Sequence, residues 1–271
     1  MTDSAHKAVV QQEFTRQADA YAVAPTVSDP ERIARLVQAV GPASDARVLD
    51  VACGLGFLAL AFATHCRVAV GVDLTHAPLA IAQKKLRVPI PMSCERGETW
   101  GTPGRNVRFI RGDADRLPFR DREFDVSVCR FALHHMENPG RVVREMARVC
   151  RGTVTAEDLV TSEHGGRGNY QNHVERLRDP SHTRALPCSE LIGLFTAAGL
   201  EIDRLYSGEA EQPLELWLSN SQTAPDRADE VRAFMERDAR ENLSGMRPYK
   251  KDGQWFFRHT TLTLVGRSIT T

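Results

Sequence analysis

The chain has 271 residues, 35 lysines and arginines balanced by 35 aspartates and glutamates, and 42% apolar residues. That length suffices for the core of one sizeable α/β domain, and a formal charge of zero removes the bulk attraction that a nucleic-acid partner needs. No stretch reaches the roughly 20 apolar residues that span a bilayer, and MTDSAHKAVVQQEF has no cationic flank before an apolar core, so a cytoplasmic protein without nucleic-acid or membrane partners is expected.

Residues up to about Gly41 carry two helical patterns, QQEFTRQADAYA and ERIARLVQAV, separated by turn signals at Pro25 and Pro30. They form a helical cap, 1–41, ahead of the first strand. RVLDVACGLGFLALA then gives an apolar strand, a carboxylate at Asp50, glycines at Gly54 and Gly56, and a helical pattern. A chain leaving a strand tightly needs backbone angles that side chains resist, and a cofactor resting on the turn takes the place of a Cβ. Gly54, Gly56 and Ala59 also match the dinucleotide fingerprint, with Asp73 near the offset of its ribose-binding acid. Asp50 favours a different ligand: a carboxylate at the end of the strand repels a pyrophosphate but attracts the ammonium of a methionine moiety, which points to S-adenosylmethionine.

VAVGVDL is an apolar, parallel-type strand ending in Asp73, whose two oxygens can accept both ribose hydroxyls. The stretch from Lys85 to Arg105 reads as a long loop, either a surface excursion or a cover in which Trp100 leans over a substrate. NVRFIRGDADRLPF is a third strand leading to Gly112, Asp113 and Ala114, where an acceptor side chain and a backbone N–H can read an adenine edge. FDVSVCRFALHHMENPGRVVREMARVCR gives a fourth strand, a His-His turn and an amphipathic helix whose basic positions form its solvated face.

TVTAEDLVTS reads as a fifth strand, followed by the polar segment HGGRGNYQNHVERLRDPSHTRAL. CSELIGLFTAAGLEIDRLYS is a helix capped by Ser189 and ended by Gly199, leading into a sixth strand. Between Ala224 and Leu243 a helix places Val231, Phe234, Met235, Ala239 and Leu243 on one core stripe, and FRHTTLTLVGR supplies a last strand, antiparallel at or near the edge. Cys53, Cys66, Cys94, Cys129, Cys150 and Cys188 have neither C-x-x-C spacing nor histidines at zinc spacing, and read as reduced core thiols without a metal site.

The succession LDVACGLG, GVDL, GDADRLPF and FDVSVCRFALHH resembles the class I S-adenosylmethionine-dependent methyltransferases, particularly the branch with the ubiquinone and menaquinone biosynthesis C-methyltransferases, over roughly Phe14 to Leu200. The resemblance implies a Rossmann-like, doubly wound α/β fold with a seven-strand, mostly parallel sheet. It divides one domain into the cap, a cofactor core at 45–160, a substrate lid at 163–187 and C-terminal helices and strands at 188–271. It also implies methionine-moiety contacts around Asp50, Ala52 and Gly54, with Gly56 in the same turn. Ribose contacts fall at Asp73 with Leu74 beside the adenine, and adenine contacts at Asp113 and Ala114. Arg130 would line the methionine end, where relatives commonly have a small or amide residue, and Tyr21 matches a ring that closes over it, a plain core tyrosine being the alternative.

Methyl transfer from a sulfonium needs alignment, and a base only if the acceptor holds a proton. His134 and His135 follow the fourth strand, at the carboxyl edge where open α/β sheets bind ligands. His182, with His173 and Arg178, belongs to the lid stretch, where RDPSH is also an ordinary turn signal. His135 and His182 are expected to reach an acceptor from opposite sides, while His6, His65, His76, His164 and His259 read as surface or satisfied residues. The expected function is S-adenosylmethionine-dependent methylation of a small molecule at oxygen, carbon or nitrogen, with a homodimer left open. Two alternatives stand beside it: a rearrangement catalysed by a protein that binds the same cofactor, and a nicotinamide-dependent oxidoreductase, against which Asp50 and GDADRLPF argue.

Overall fold

The computed structural model describes residues 3–86 and 106–269. The loop expected from Lys85 to Arg105, with Trp100 and Cys94, lies outside the described residues apart from Lys85 and Leu86.

Three helices precede the sheet: α1 (Asp3–Ala22), the short α2 (Pro25–Ser28) and α3 (Pro30–Val40). α3 starts where Asp29 accepts from the Glu31 and Arg32 amides with Pro30 in the first turn, and ends at Gly41 in the left-handed region. α1 begins eight residues before its predicted pattern, because its first two turns pack over the ends of the sheet rather than showing a core stripe of their own.

The core then alternates strand and helix through β1 (Arg47–Val51), α4 (Phe57–Ala63), β2 (Val68–Asp73), α5 (His76–Lys85), β3 (Val107–Arg111) and β4 (Phe124–Arg130). A single 3₁₀ turn (Leu133–His135), α6 (Pro139–Val149) and β5 (Cys150–Thr161) follow. α6 is capped by Asn138, which accepts from the Arg141 amide, with Pro139 in its first turn. After these come α7 (Gly165–Arg178), β6 (Leu186–Pro187), α8 (Cys188–Ala197), β7 (Leu200–Pro213), α9 (Leu214–Asn220), α10 (Pro225–Glu241), β8 (Tyr249–Lys251) and β9 (Gln254–Ser268).

The sheet runs β3-β2-β1-β4-β5-β9-β7, with β6 pairing β5 and β8 pairing β9. The strands from β1 to β6 pair in parallel, and β9 is antiparallel to both β5 and β7, one place in from the edge. The expected seven strands are therefore the main path of a nine-stranded sheet. The two additions, of two and three residues, are too short to show an alternating pattern.

The side-chain period of two separates the two faces of the sheet. Leu49 and Val51 pack with Met146 of α6 and Phe195 of α8, whereas Val48 packs with Leu36 of α3 and Phe62 of α4. Each such fully buried side chain contributes about 1.5–3 kcal/mol. A third cluster joins Val174 of α7, Trp217 of α9, Met235 of α10 and Phe257 of β9.

Two local expectations are corrected. Ser189 does not cap α8, which starts one residue earlier; its amide and hydroxyl both donate to the Glu163 carboxylate. The α10 stripe keeps Val231 and Met235 in the core, but Ala239 is exposed and Asp238 is buried, accepting from the Ser244 amide at 2.8 Å. A satisfied carboxylate takes the buried position that the pattern reserved for an apolar residue.

Candidate functional site

β1, β2 and β3 step to one side of the sheet and β4 and β5 to the other, so the chain reverses direction beside β1 and opens a crevice at the strand carboxyl ends. One cavity there is lined by Asp50 of β1 with Ala52 and Gly54 after it, Asp73 at the end of β2 with Leu74 after it, Asp113 and Ala114 after β3, and Arg130 at the end of β4 with His134 and His135 after it, together with Tyr21 of α1. Three expected site residues are not in its wall: Gly56, His182 and His173, the last exposed on α7.

The two glycines of the first turn do different work. Gly54 has φ +49, and a Cβ added there meets nothing within 4 Å, so it faces the open cavity. Gly56 has φ +73, and a Cβ there would run into the Phe109 ring, so it serves the close packing of α4 on β3. Ala52, at φ +56, holds a left-handed conformation without being a glycine, which is strain stored in the same turn.

Asp50 is 2% exposed and accepts the Ala59 amide at 3.0 Å. Burial pushes its carboxyl up to about 7, with the charge of Asp73 adding to the effect and the Ala59 amide and Arg130 opposing it. Asp73 accepts the Gly54 amide through Oδ2 and the Thr75 amide through Oδ1, each at 2.8 Å. Burial raises its carboxyl, and those two donors hold it back. Asp113 accepts the Asp115 amide at 3.0 Å and pairs with Lys7 at 2.8 Å, and Lys7 also reaches Asp115 at 2.6 Å. Burial works against the Lys7 ammonium, yet the two carboxylates hold it above its ordinary range. Arg130 donates to the Val27 carbonyl at 3.0 Å and lies 3.4 Å from Glu157 of β5. The guanidinium is thus fixed as part of the wall.

The three histidines form one cluster rather than two opposed faces. Ring centroids are 4.2 Å apart for His134 and His135, and 5.4 Å for His134 and His182. His182 is 3% exposed, and its Nε2 donates to Asn172 Oδ1 at 2.8 Å, so it stands behind the other two. The expected approach from opposite sides fails because α7 and the RDPSH turn fold under the 3₁₀ turn; the Thr183 and Arg184 amides both donate to the His134 carbonyl. The turn reading of RDPSH holds, with Asp179 accepting from the Ser181 amide at 2.9 Å. Burial favours a neutral His134, but Asp158, hydrogen-bonded to its Nδ1, outweighs that and raises it. Burial, and then the neighbouring His134, pull His135 down to about 4.

Sequence reasoning expected the N-terminal helices to cap the cofactor and named Tyr21, but missed the rest of the α1 face that lines the cavity. Lys7, Val10, Phe14, Ala18 and Tyr21 recur at three- and four-residue steps and all line the cavity. That stripe was available as a signal, although a lysine at one end and a tyrosine at the other disguise it as a weakly amphipathic surface. Gln11 donates to the Leu74 carbonyl at 3.1 Å, and the Phe14 ring meets His135 edge-on at 5.0 Å. Beyond Tyr21 the wall continues through Arg178, Trp217, Gln212 and His259.

Residues 49–154 match the methyltransferase domain family. The uncharacterized methyltransferase YcgJ of Bacillus subtilis is 30% identical over 220 residues, 80% of this chain and 82% of the relative. Its crystal structure superposes with a TM-score of 0.78, covering 88% of this chain and 98% of that one at 27% identity. The crystal structure of a putative methyltransferase from Bacillus halodurans is 28% identical and superposes with a TM-score of 0.77, covering 89% of this chain and 100% of that one. The ubiquinone/menaquinone biosynthesis C-methyltransferase of Idiomarina loihiensis is 32% identical over 108 residues, 39% of this chain and 38% of that relative.

Proposed function

Because the chain belongs to the S-adenosylmethionine-dependent methyltransferase family, we propose that its cavity holds that cofactor against the β1–β4 ends and a small-molecule acceptor in the part walled by Tyr21, Arg178 and Trp217. The observation that carries this reading is the pair of carboxylates in one wall, Asp50 buried and Asp73 half-buried. Asp73 is anchored by two backbone amides and able to take two ribose hydroxyls, and Asp50 is desolvated and in want of a cation.

The residues fit the cofactor. Gly54 leaves open the volume that a side chain would fill, and Asp50 would face the methionine ammonium, with Ala52 beside it. Leu74 and Ala114 offer apolar contact to an adenine, and Asp113 an acceptor. The cofactor supplies a methyl group activated on a sulfonium; the protein supplies alignment and exclusion of water. α1 closes the mouth, tied at the Leu74 carbonyl, at Asp113 and, through His6, at the His135 carbonyl. Arg130 and His134 are locked by partners and shape the methionine end. His135, brought down to about 4, is a weak proton acceptor near neutral pH and shapes the wall, while His182 stands behind it, screened from the acceptor.

Calorimetry with S-adenosylhomocysteine and with NAD tests the reading. Binding of the first without the second is expected, and the reverse overturns it. Product mass after incubation with S-adenosylmethionine separates methyl transfer from a rearrangement.

A further inference from the structure

On the acceptor side of the cavity a buried titratable pair is left over from the cofactor chemistry: His259 of β9 and Glu175 of α7. His259 Nε2 lies 2.6 Å from Glu175 Oε1, with side chains 3% and 1% exposed. Burial opposes a charge on Glu175, but His259, His182 and Arg178 hold its carboxyl well below the usual range. An ionised carboxylate only accepts, so Nε2 carries the proton. The Nδ1 lone pair of a residue in the cavity wall is then left without a hydrogen-bond partner among the described residues. The ring is fixed edge-on against Phe257 at 4.9 Å and Trp217 at 5.8 Å, and its register partner on β7 is Ala210. The titratable and charged groups facing the pair, the Arg178 guanidinium and the more distant His182, whose imidazole burial pulls well below its ordinary range, come from α7 and the turn after it. Arg178 lies 3.7 Å from Glu175, stands 4.7 Å over the Trp217 ring and donates to the Tyr21 hydroxyl at 3.0 Å.

We propose that His259, oriented by Glu175, is the proton acceptor for a phenolic substrate whose ring lies among Trp217, Tyr21 and Phe14 and whose oxygen faces Arg178. This rests on the cofactor reading above. An imidazole is matched to a hydroxyl of phenolic acidity and not to that of an alkanol, an aromatic wall suits a ring, and a guanidinium favours the developing phenolate. In the step, the O–H proton passes to His259 Nδ1. The oxygen lone pair forms the O–CH₃ bond as the CH₃–S bond breaks, and the electrons of that bond remain on sulfur as the thioether. Glu175 offsets the imidazolium charge, and the proton leaves to solvent after the product.

The test uses the full chain loaded with S-adenosylhomocysteine, and 4-nitrophenol as the probe, whose absorbance reports its ionisation. In the wild type the bound probe is expected to ionise at least one pH unit below the free probe. His259→Asn should abolish that shift while changing the Kd of S-adenosylhomocysteine less than threefold. With S-adenosylmethionine, His259→Asn should lower kcat for the probe about tenfold at pH values below the free probe's ionisation, where log kcat climbs with unit slope, and approach the wild type above it. Glu175→Gln, which keeps an acceptor for Nε2–H, should lower kcat about tenfold and move the acid limb to lower pH, because the imidazolium loses its counter-charge; a purely structural Glu175 would leave the limb in place. If His259→Asn does not fold, Glu175→Gln decides by that limb. Wild-type probe ionisation in His259→Asn, an unmoved limb in Glu175→Gln, or failure of the loaded wild type to bind 4-nitrophenol each overturns the proposal. Failure to bind S-adenosylhomocysteine overturns the cofactor reading, and this proposal with it.

Discussion

Removing the Asp73 carboxylate separates the task it performs in the structure from the one proposed for it. Oδ2 and Oδ1 each accept a backbone amide at 2.8 Å, from Gly54 and Thr75, and the same oxygens face the cavity. Asp73→Ala leaves both amides to water at the cavity edge. Hydrogen bonds to a charged group are worth about 1.5–3 kcal/mol each, but part of that is offset in the wild type by the cost of burying the charge, which the raised carboxyl records. A net loss of about 1–3 kcal/mol is expected, a fall in Tm of about 2–10 °C at this size. Two ribose hydroxyls lose a charged acceptor, about 3–6 kcal/mol in total, so the Kd of S-adenosylhomocysteine should rise by about 10²–10⁴-fold. Asp73→Asn, which retains one acceptor oxygen, should fall between the two in both measurements. Calorimetry and circular dichroism melting read them independently. A variant that melts at the wild-type temperature, or that binds within tenfold of the wild type, would show that Asp73 is not the clamp of both the turn and the ligand.

The two glycines should part company. Gly56→Ala is expected to destabilise the protein by about 2–4 kcal/mol, by overpacking Phe109 at a strained φ. Gly54→Val should lose S-adenosylhomocysteine binding in calorimetry, because its side chain enters the cavity, and should melt about 2–12 °C below the wild type, because a β-branched residue is forced to φ +49 without any clash. With Asp50 raised to about 7, the affinity for S-adenosylhomocysteine should fall as pH drops from 7 to 5, by up to tenfold per unit, and calorimetry at pH 7 in buffers of different ionisation enthalpy should detect proton release. The same shift has the opposite sign for folding. A carboxyl raised above its unfolded value of about 4 binds its proton more tightly in the folded state, so its contribution to stability is full below pH 4 and is lost as pH rises through 7. Asp50→Asn should flatten that part of the Tm profile.

The part of the cavity at the strand ends was legible because its signals are local. A strand ending in a carboxylate, a turn that needs left-handed backbone and a helix that follows are written within fifteen residues, and the parallel pairing of β1 with β2 and β4 carries Asp50, Asp73 and Arg130 to one edge. The individual strands and helices follow from the same short-range periodicities, whereas the mostly parallel sheet with a late antiparallel strand was what the resemblance to the methyltransferases implied. Local signals could not separate the two glycines, since whether a Cβ meets empty space or the Phe109 ring depends on how β3 packs beneath α4. Nor could they assign the histidines. His134 is raised by Asp158, a residue 24 positions away on β5, and His182 is sealed off by Asn172 of α7. His259 looked patternless because Glu175, its partner, lies 84 positions earlier, and only the antiparallel insertion of β9 between β5 and β7 brings the two together. Turn chemistry and side-chain period act over a few residues and fix the cofactor cradle. The far wall of the cavity is built by long-range packing of α1, α7, α9 and β9, so its charges and its open atoms exist only in the folded chain.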